Sequence, residues 1–340
     1  MRIFLVCGGV LASAASALAD VPQVAADIAP VQGLVARVMG DLGSPALIVP
    51  PGASPHAYAM RPSEAAALEP ARLVVEVGAG LTPWFADTVA TLAPEAQLLT
   101  LMTVPGTRVL PSRADGVFAG AGGPGRDQAA QDAHGAHEDQ EDHGAHEDQG
   151  DHGAHDAHAV TGDRDLHDHG PEDPHGWLDP ANAAVWLGAI AEALAEIDPE
   201  NAETYRANAR AGQAEIADTV AEVRAMLAPV RGRGFVVFHD AYGYFEAAFD
   251  MPALAALAVS DAADPGAARI VAIRDALDGM QVDCVFTEPQ FNTDLATAIF
   301  DGNVPTAILD PLGSAVPPGP SFYPEFLLNV GASMAGCLAR

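Results

Sequence analysis

No lysine occurs anywhere in this chain, and its 16 basic residues, all arginine, stand against 46 acidic ones for a formal charge of −30. A nucleic-acid binder neutralises phosphates with a basic stripe, so this composition argues against such a partner and for a protein that attracts cations. Cysteine is scarce too, at three residues. Beyond the N-terminal leader no apolar run approaches the roughly 18 residues that span a bilayer. HExxH, G-x-S-x-G and P-loop patterns are absent, and Gly78-Ala79-Gly80 has Pro83 where a dinucleotide fingerprint needs its third glycine. The sequence therefore offers no independent support for an enzyme.

What is present begins with an export signal. Arg2 supplies a positive start, Ile3 to Val10 and the following Leu and Ala run supply an apolar stretch, and Ala17-Leu18-Ala19 is an A-x-A cleavage site. Residues 1–19 read as a cleaved signal peptide, and the mature protein begins near Asp20. Cys7 is removed with it, leaving Cys284 and Cys337 as a pair in an oxidising compartment. A disulfide between them would close a loop of roughly 54 residues, worth on the order of 4 kcal/mol by chain entropy. The alternative is a pair of zinc-ligand thiolates.

At 340 residues and 49% hydrophobic, the chain can bury a sizeable core and build two domains. Short β-rich runs alternate with helical patterns, the signature of βαβ units and mainly parallel sheets. Strands are expected at 21–28, 46–49, 73–77, 97–102, 235–238, 253–259, 283–287 and 306–310. Helices are expected at 31–39, 83–92, 180–197, 199–228, 242–249, 265–277, 293–300 and 323–338. Asp179 and Pro180 form a strong helix start. Tyr205, Ala209, Gly212, Ile216, Val220, Val223 and Leu227 share one face of the 199–228 helix, which at about 1.5 Å per residue would run roughly 45 Å, a spine between domains.

One stretch has no core-forming pattern. From Gln131 to Asp173 the chain holds nine of its twelve histidines (His134, His137, His143, His146, His152, His155, His158, His167 and His169), and HGAH recurs every nine residues. Fourteen Asp or Glu accompany them against a single Arg164. Such a Gly-rich, imidazole- and carboxylate-rich tract reads as disordered and metal-attracting.

The remaining histidines each border an ordered segment: His56 and His239 after strands, His175 before a helix. Neutral imidazoles suit Zn²⁺, which takes four ligands with nitrogen at about 2.0–2.1 Å. Asp310, at the end of another strand, is the first candidate for the fourth place, with Glu288 or an acidic residue of the tract behind it.

The motifs GASPHAYAMRPSE at 52–64, PHGWLDP at 174–180, FVVFHDAYGYFE at 235–246, CVFTEPQF at 284–291 and LDPLG at 309–313 resemble those of the ZnuA-type periplasmic zinc-binding proteins. These are metal-specific solute-binding proteins of ABC importers, and the likeness runs over essentially the whole mature chain. It implies an α/β fold of two lobes, each with a mainly parallel four-stranded sheet flanked by helices, joined by a rigid long helix. The lobes would be 20–198, with a disordered loop at 112–173, and 229–340, with the helix at 199–228 between them. The resemblance also implies metal held by His56, His175 and His239, and periplasmic location. Some members use an acidic residue before the first histidine, but Pro55 stands there, which leaves Asp310 or water. The tract resembles the family's charged loop, implicated in metal acquisition.

The leading expectation is capture of Zn²⁺ as a transported ligand, delivered to an inner-membrane ABC permease with its ATPase subunit. The tract would act as an accessory low-affinity collector, and a periplasmic metallochaperone is a possible further partner of what is expected to be a monomer. Coordination needs deprotonated imidazole, so affinity should fall as pH drops through about 6.5. The competing readings are a manganese- or iron-binding relative, should more carboxylates coordinate, a periplasmic metal buffer without a transporter, and a zinc-dependent hydrolase with Glu288 as its base.

Overall fold

The computed structural model describes residues 21–113, 117–118, 172–258, 266–290, 300 and 302–340. The leader, most of the histidine-rich tract and all but the last residue of the expected helix at 293–300 lie outside the described residues. Two sheets organise the rest. Strands β1 (Val24–Ala26), β2 (Ala46–Leu47), β3 (Leu73–Glu76) and β4 (Gln97–Thr100) pair in the order β2-β1-β3-β4. Strands β5 (Phe235–His239), β6 (Ala255–Ala258), β7 (Cys284–Thr287) and β8 (Thr306–Ile308) pair as β6-β5-β7-β8, and every pair in both sheets is parallel. The two sheets thus repeat one topology. In each, the chain steps outward to one side of its first strand and then crosses to the other, so the crevice for a ligand opens at the carboxyl ends of β1 and β3, and of β5 and β7.

Helices α1 (Ala29–Met39), α2 (Pro62–Leu68) and α3 (Phe85–Leu92) belong to the first sheet, and α6 (Gly243–Phe249) and α7 (Ala267–Ala276) to the second. Helix α4 (Pro180–Ile197) starts and stops where its cap signals place it: Asp179 accepts from the Ala181 amide at 2.9 Å, and Pro180 opens the first turn. Helix α5 (Ala202–Leu227), flanked by single 3-10 turns at Pro199–Asn201 and Ala228–Val230, is the expected spine. It packs on α1 and α4 and on the last helix, α8 (Phe322–Leu338). Its buried stripe is the expected one except that Thr219 replaces Val220, and the Thr219 hydroxyl is hidden by donating to Glu215 O at 2.8 Å. Gly212 lets α5 approach closely there, because a β-carbon would lie 2.9 Å from Leu187 Cδ1 and 3.0 Å from Arg37 Cγ, and those side chains would have to give way. Helix α8 also reaches α1, so two helices rather than one connect the halves.

Helix α2 was not expected from the sequence. It is seven residues long, buries only Leu68, and is set by Pro62 in its first turn and Glu64, whose carboxylate accepts the Arg61 amide at 2.7 Å. Among the described residues no helix is long and apolar enough to cross a membrane. Cys284 on β7 and Cys337 on α8 are joined as a disulfide, as the pairing argument expected, and not as metal thiolates.

Asp27, just past β1, is fully buried and accepts from the Ile28 and Val77 amides, both at 2.7 Å, which ties the ends of β1 and β3 together. Burial pushes its carboxyl up to about 7 from 3.8, against the pull of the two amides. The folded protein therefore holds a proton that the unfolded chain has released. That contribution to stability is complete below about pH 4 and is lost as pH rises through about 7, on the order of 4 kcal/mol. Urea unfolding of Asp27→Asn, which cannot ionise, should show a flatter dependence between pH 5 and 8 than the parent. An unchanged slope would assign the effect elsewhere.

Candidate metal centre

His56 lies in the loop after β2, and its backbone is pinned from two sides. Trp84 Nε1 donates to Pro55 O at 3.0 Å, and the Tyr58 hydroxyl donates to the Glu64 carboxylate at 2.7 Å. His175 precedes a single 3-10 turn, Gly176–Leu178, which is tied to the second half of the chain: Trp177 Nε1 donates to Pro311 O and the Tyr323 hydroxyl to Trp177 O, both at 2.7 Å. Gly176 fits closely, since a β-carbon would stand 2.4 Å from Met102 Sδ and the methionine would have to move. His239 is the last residue of β5 and sits at the β5/β7 crevice.

The three imidazoles, all buried, meet at a cavity of about 10 Å³ lined also by Pro55, Leu81, Trp177, Gln290, Pro311 and Leu312. That volume suits a single ion or water and excludes an organic solute. The ring centroids of His175 and His239 are 5.3 Å apart and those of His56 and His175 are 5.8 Å apart, both edge to face. Two carboxylates fix the rings. Asp173 Oδ1 accepts the His175 amide at 2.9 Å and meets His175 Nδ1 at 2.7 Å, while Glu288 Oε1 meets His239 Nδ1 at 2.6 Å. Each carboxylate draws the ring proton to Nδ1 and leaves the Nε2 lone pair for a ligand. The two Nε2 atoms face each other at 3.4 Å. Among the described residues no three His, Cys, Asp or Glu side chains are already drawn in to the spacing of a metal cage. His175 and His239 are in register, and His56 stands one ring contact away.

Asp310 lines no part of this cavity. Its carboxylate accepts four hydrogen bonds from the turn that follows: Leu312 N (3.0 Å), Gly313 N (2.9 Å), Ser314 N and Ser314 Oγ (both 2.6 Å). It shapes the loop whose Pro311 and Leu312 cover the imidazoles. Glu288, expected as a stand-by ligand or a base, meets the His239 ring through one oxygen and accepts from Gln290 Nε2 at 3.1 Å through the other. Burial, then the Glu288 and Asp310 carboxylates, push the Tyr242 hydroxyl well above its ordinary value, so it stays protonated and donates to Leu309 O at 2.9 Å. Asp173, at the end of the tract whose composition predicts disorder, is buried, and Glu172 before it bridges Pro111. The signal that would have found it is Asp-Pro-His, a carboxylate two residues ahead of a ligand-type histidine with proline stiffening the link. The nine histidines of the tract lie outside the described residues.

Two α/β halves with a small site, lined by imidazoles and closed by apolar side chains, define a cation-binding protein of the two-lobe solute-binding class. The periplasmic zinc-uptake complex component A (ZnuA) family model matches residues 24–335, and the chain belongs to that family. It is 40% identical over 337 residues to the high-affinity zinc uptake system protein ZnuA of Paracoccus denitrificans, covering 98% of this chain and 97% of that one. It is 33% identical to the protein of that name from Yersinia pestis, covering 90% and 88%. Among solved structures, a ZnuA deletion mutant with zinc bound superposes with a TM-score of 0.68 at 23% identity, over 94% of this chain and 98% of that one, a likeness of fold.

Proposed function

We propose that this protein is the periplasmic zinc-binding component of a zinc uptake system, holding Zn²⁺ as cargo between His56, His175 and His239 for an inner-membrane ABC permease and its ATPase. One distance carries the reading. Two nitrogens on a tetrahedral zinc at about 2.0–2.1 Å lie about 3.3–3.4 Å apart, and the Nε2 atoms of His175 and His239 stand 3.4 Å apart with their other nitrogens committed to carboxylates. His56 supplies the third nitrogen by a small ring movement. Water takes the fourth place, because Asp310 is saturated by its own turn. Three imidazoles favour zinc over manganese, which prefers oxygen. Glu288 bonded to His239 supports capture over hydrolysis, since a base would have to reach a substrate. The division into lobes at 20–198 and 229–340 around the 199–228 helix, removal of residues 1–19, and collection of weakly held zinc by the tract belong to the same proposal.

Competition titration of zinc against manganese should show one tight site with strong preference for zinc, kept when residues 131–170 are deleted. Equal affinity for manganese, or loss of the tight site on deletion, would contradict the reading. Glu288→Gln should weaken zinc binding about 10–100-fold, the usual cost of losing a carboxylate that orients a metal-binding imidazole. Chelator competition at neutral pH measures it, and parental affinity would deny Glu288 that role.

A further inference from the structure

The segment leaving β4 does not run straight into the tract. It crosses to the second half of the molecule, where residues 108–113, 117–118 and 172–174, the described parts of a stem, are stitched down. The Asp173 amide donates to Leu110 O at 2.8 Å. The Tyr244 hydroxyl on α6 serves both sides of the stem, accepting from the Leu110 amide at 2.9 Å and donating to Asp173 O at 3.0 Å. Val117 bridges Ala255 on β6, and the Phe118 amide donates to Leu254 O at 3.0 Å. At the centre is Arg113, whose guanidinium forks to two carboxylates. Nε reaches both Asp240 oxygens (2.9 and 3.0 Å), Nη2 also contacts Asp240 Oδ1, and Nη1 and Nη2 reach Glu246 at 2.9 and 3.0 Å. Its carbon lies 3.6 Å from the centre of the Phe118 ring.

The neighbours of this fork belong to the zinc site. Asp240 directly follows His239, and Asp173 is the orienting partner of His175. A β-carbon on Gly243, the first residue of α6, would lie 3.1 Å from Asp173 Oδ2 and 3.7 Å from Arg113 Nη2, so the carboxylate and the guanidinium converge over one residue. Three carboxylates gathered beside two imidazoles would repel one another without a cation. Only arginine offers a planar fork that engages two of them at once.

We infer that Arg113 is a positioning residue for cation capture: it fastens the stem carrying Asp173 to the strand end carrying His239, and so holds the two facing imidazole nitrogens at the spacing one zinc ion bridges. The inference rests on the site reading above. A purely structural residue would lower the stability of the metal-free and zinc-bound protein alike, whereas a positioning residue selectively weakens the bound state.

The test uses the full chain as the parent protein, Arg113→Met, Arg113→Lys and His239→Ala. Zinc release into excess chelator is followed by stopped flow, and Tm is measured with and without zinc. Arg113→Met should speed the slow phase of release about tenfold or more and shrink the zinc-induced rise in Tm, with association little changed. Arg113→Lys, which keeps the charge but not the fork, should fall between, and it decides the matter if Arg113→Met does not fold. Parental release with only a lowered metal-free Tm would overturn the inference. His239→Ala separates two failures. If it releases zinc as slowly as the parent, the site reading falls and takes this one with it. If it loses the slow phase while the Arg113 variants keep it, only the role of Arg113 falls.

Discussion

Replacing His239 with alanine should weaken tight zinc binding by more than about 100-fold. Losing only the outer partner of a metal-binding imidazole costs about 10–100-fold, and losing the imidazole itself costs more. The geometry sharpens the expectation. His239 supplies one of the two Nε2 atoms that face each other at 3.4 Å, and its removal also strands the buried Glu288 carboxylate without its ring partner. Chelator competition at neutral pH reads the affinity. Parental affinity in His239→Ala would mean that the tight ion sits elsewhere.

Breaking the disulfide is expected to produce the largest loss of stability. Cys284 and Cys337 are both buried and 53 positions apart, and they tie an inner strand of the second sheet to the helix that also packs on α1 and α5. Removing a cross-link over a loop of that length costs roughly 4 kcal/mol by chain entropy. Urea unfolding of Cys284→Ser with Cys337→Ser should show that loss. Zinc affinity of the folded fraction should change only a few-fold, because β7 keeps its pairing to β5 and β8 and so still presents Glu288 to His239. A loss under about 1 kcal/mol would mean that the reduced chain already holds this loop closed.

Much of this arrangement was legible in the sequence because the signals were local. Asp179-Pro180 fixes the start of α4, the apolar stripe through Gly212 fixes the face of α5, and alternation of short apolar runs with helical patterns fixes the parallel class. Helix α2 escaped because seven residues with one buried side chain carry no periodicity. The strand expected at 21–28 shrinks to Val24–Ala26, although Gln23 O and the Asp27 backbone still bond to the neighbouring segments at its two ends. At the site, three histidines at element ends could be singled out by position alone. Their partners could not. Asp173 and Arg113 lie at the margins of a stretch whose composition speaks for disorder, and Glu288 stands 49 positions from the ring it holds. Asp310 shows what position in sequence leaves open: a carboxylate at a strand end resembles a ligand, and the structure has amides within four residues bonding to both its oxygens.

X-ray absorption at one equivalent of zinc tests the central claim most directly, on the full chain and on the chain lacking residues 131–170. Both should give the same first shell, three nitrogen neighbours at about 2.0–2.1 Å and one oxygen. A shell of four imidazoles or of mainly carboxylate oxygens, or one that changes when the tract is removed, would contradict the assignment of His56, His175 and His239 as the zinc site.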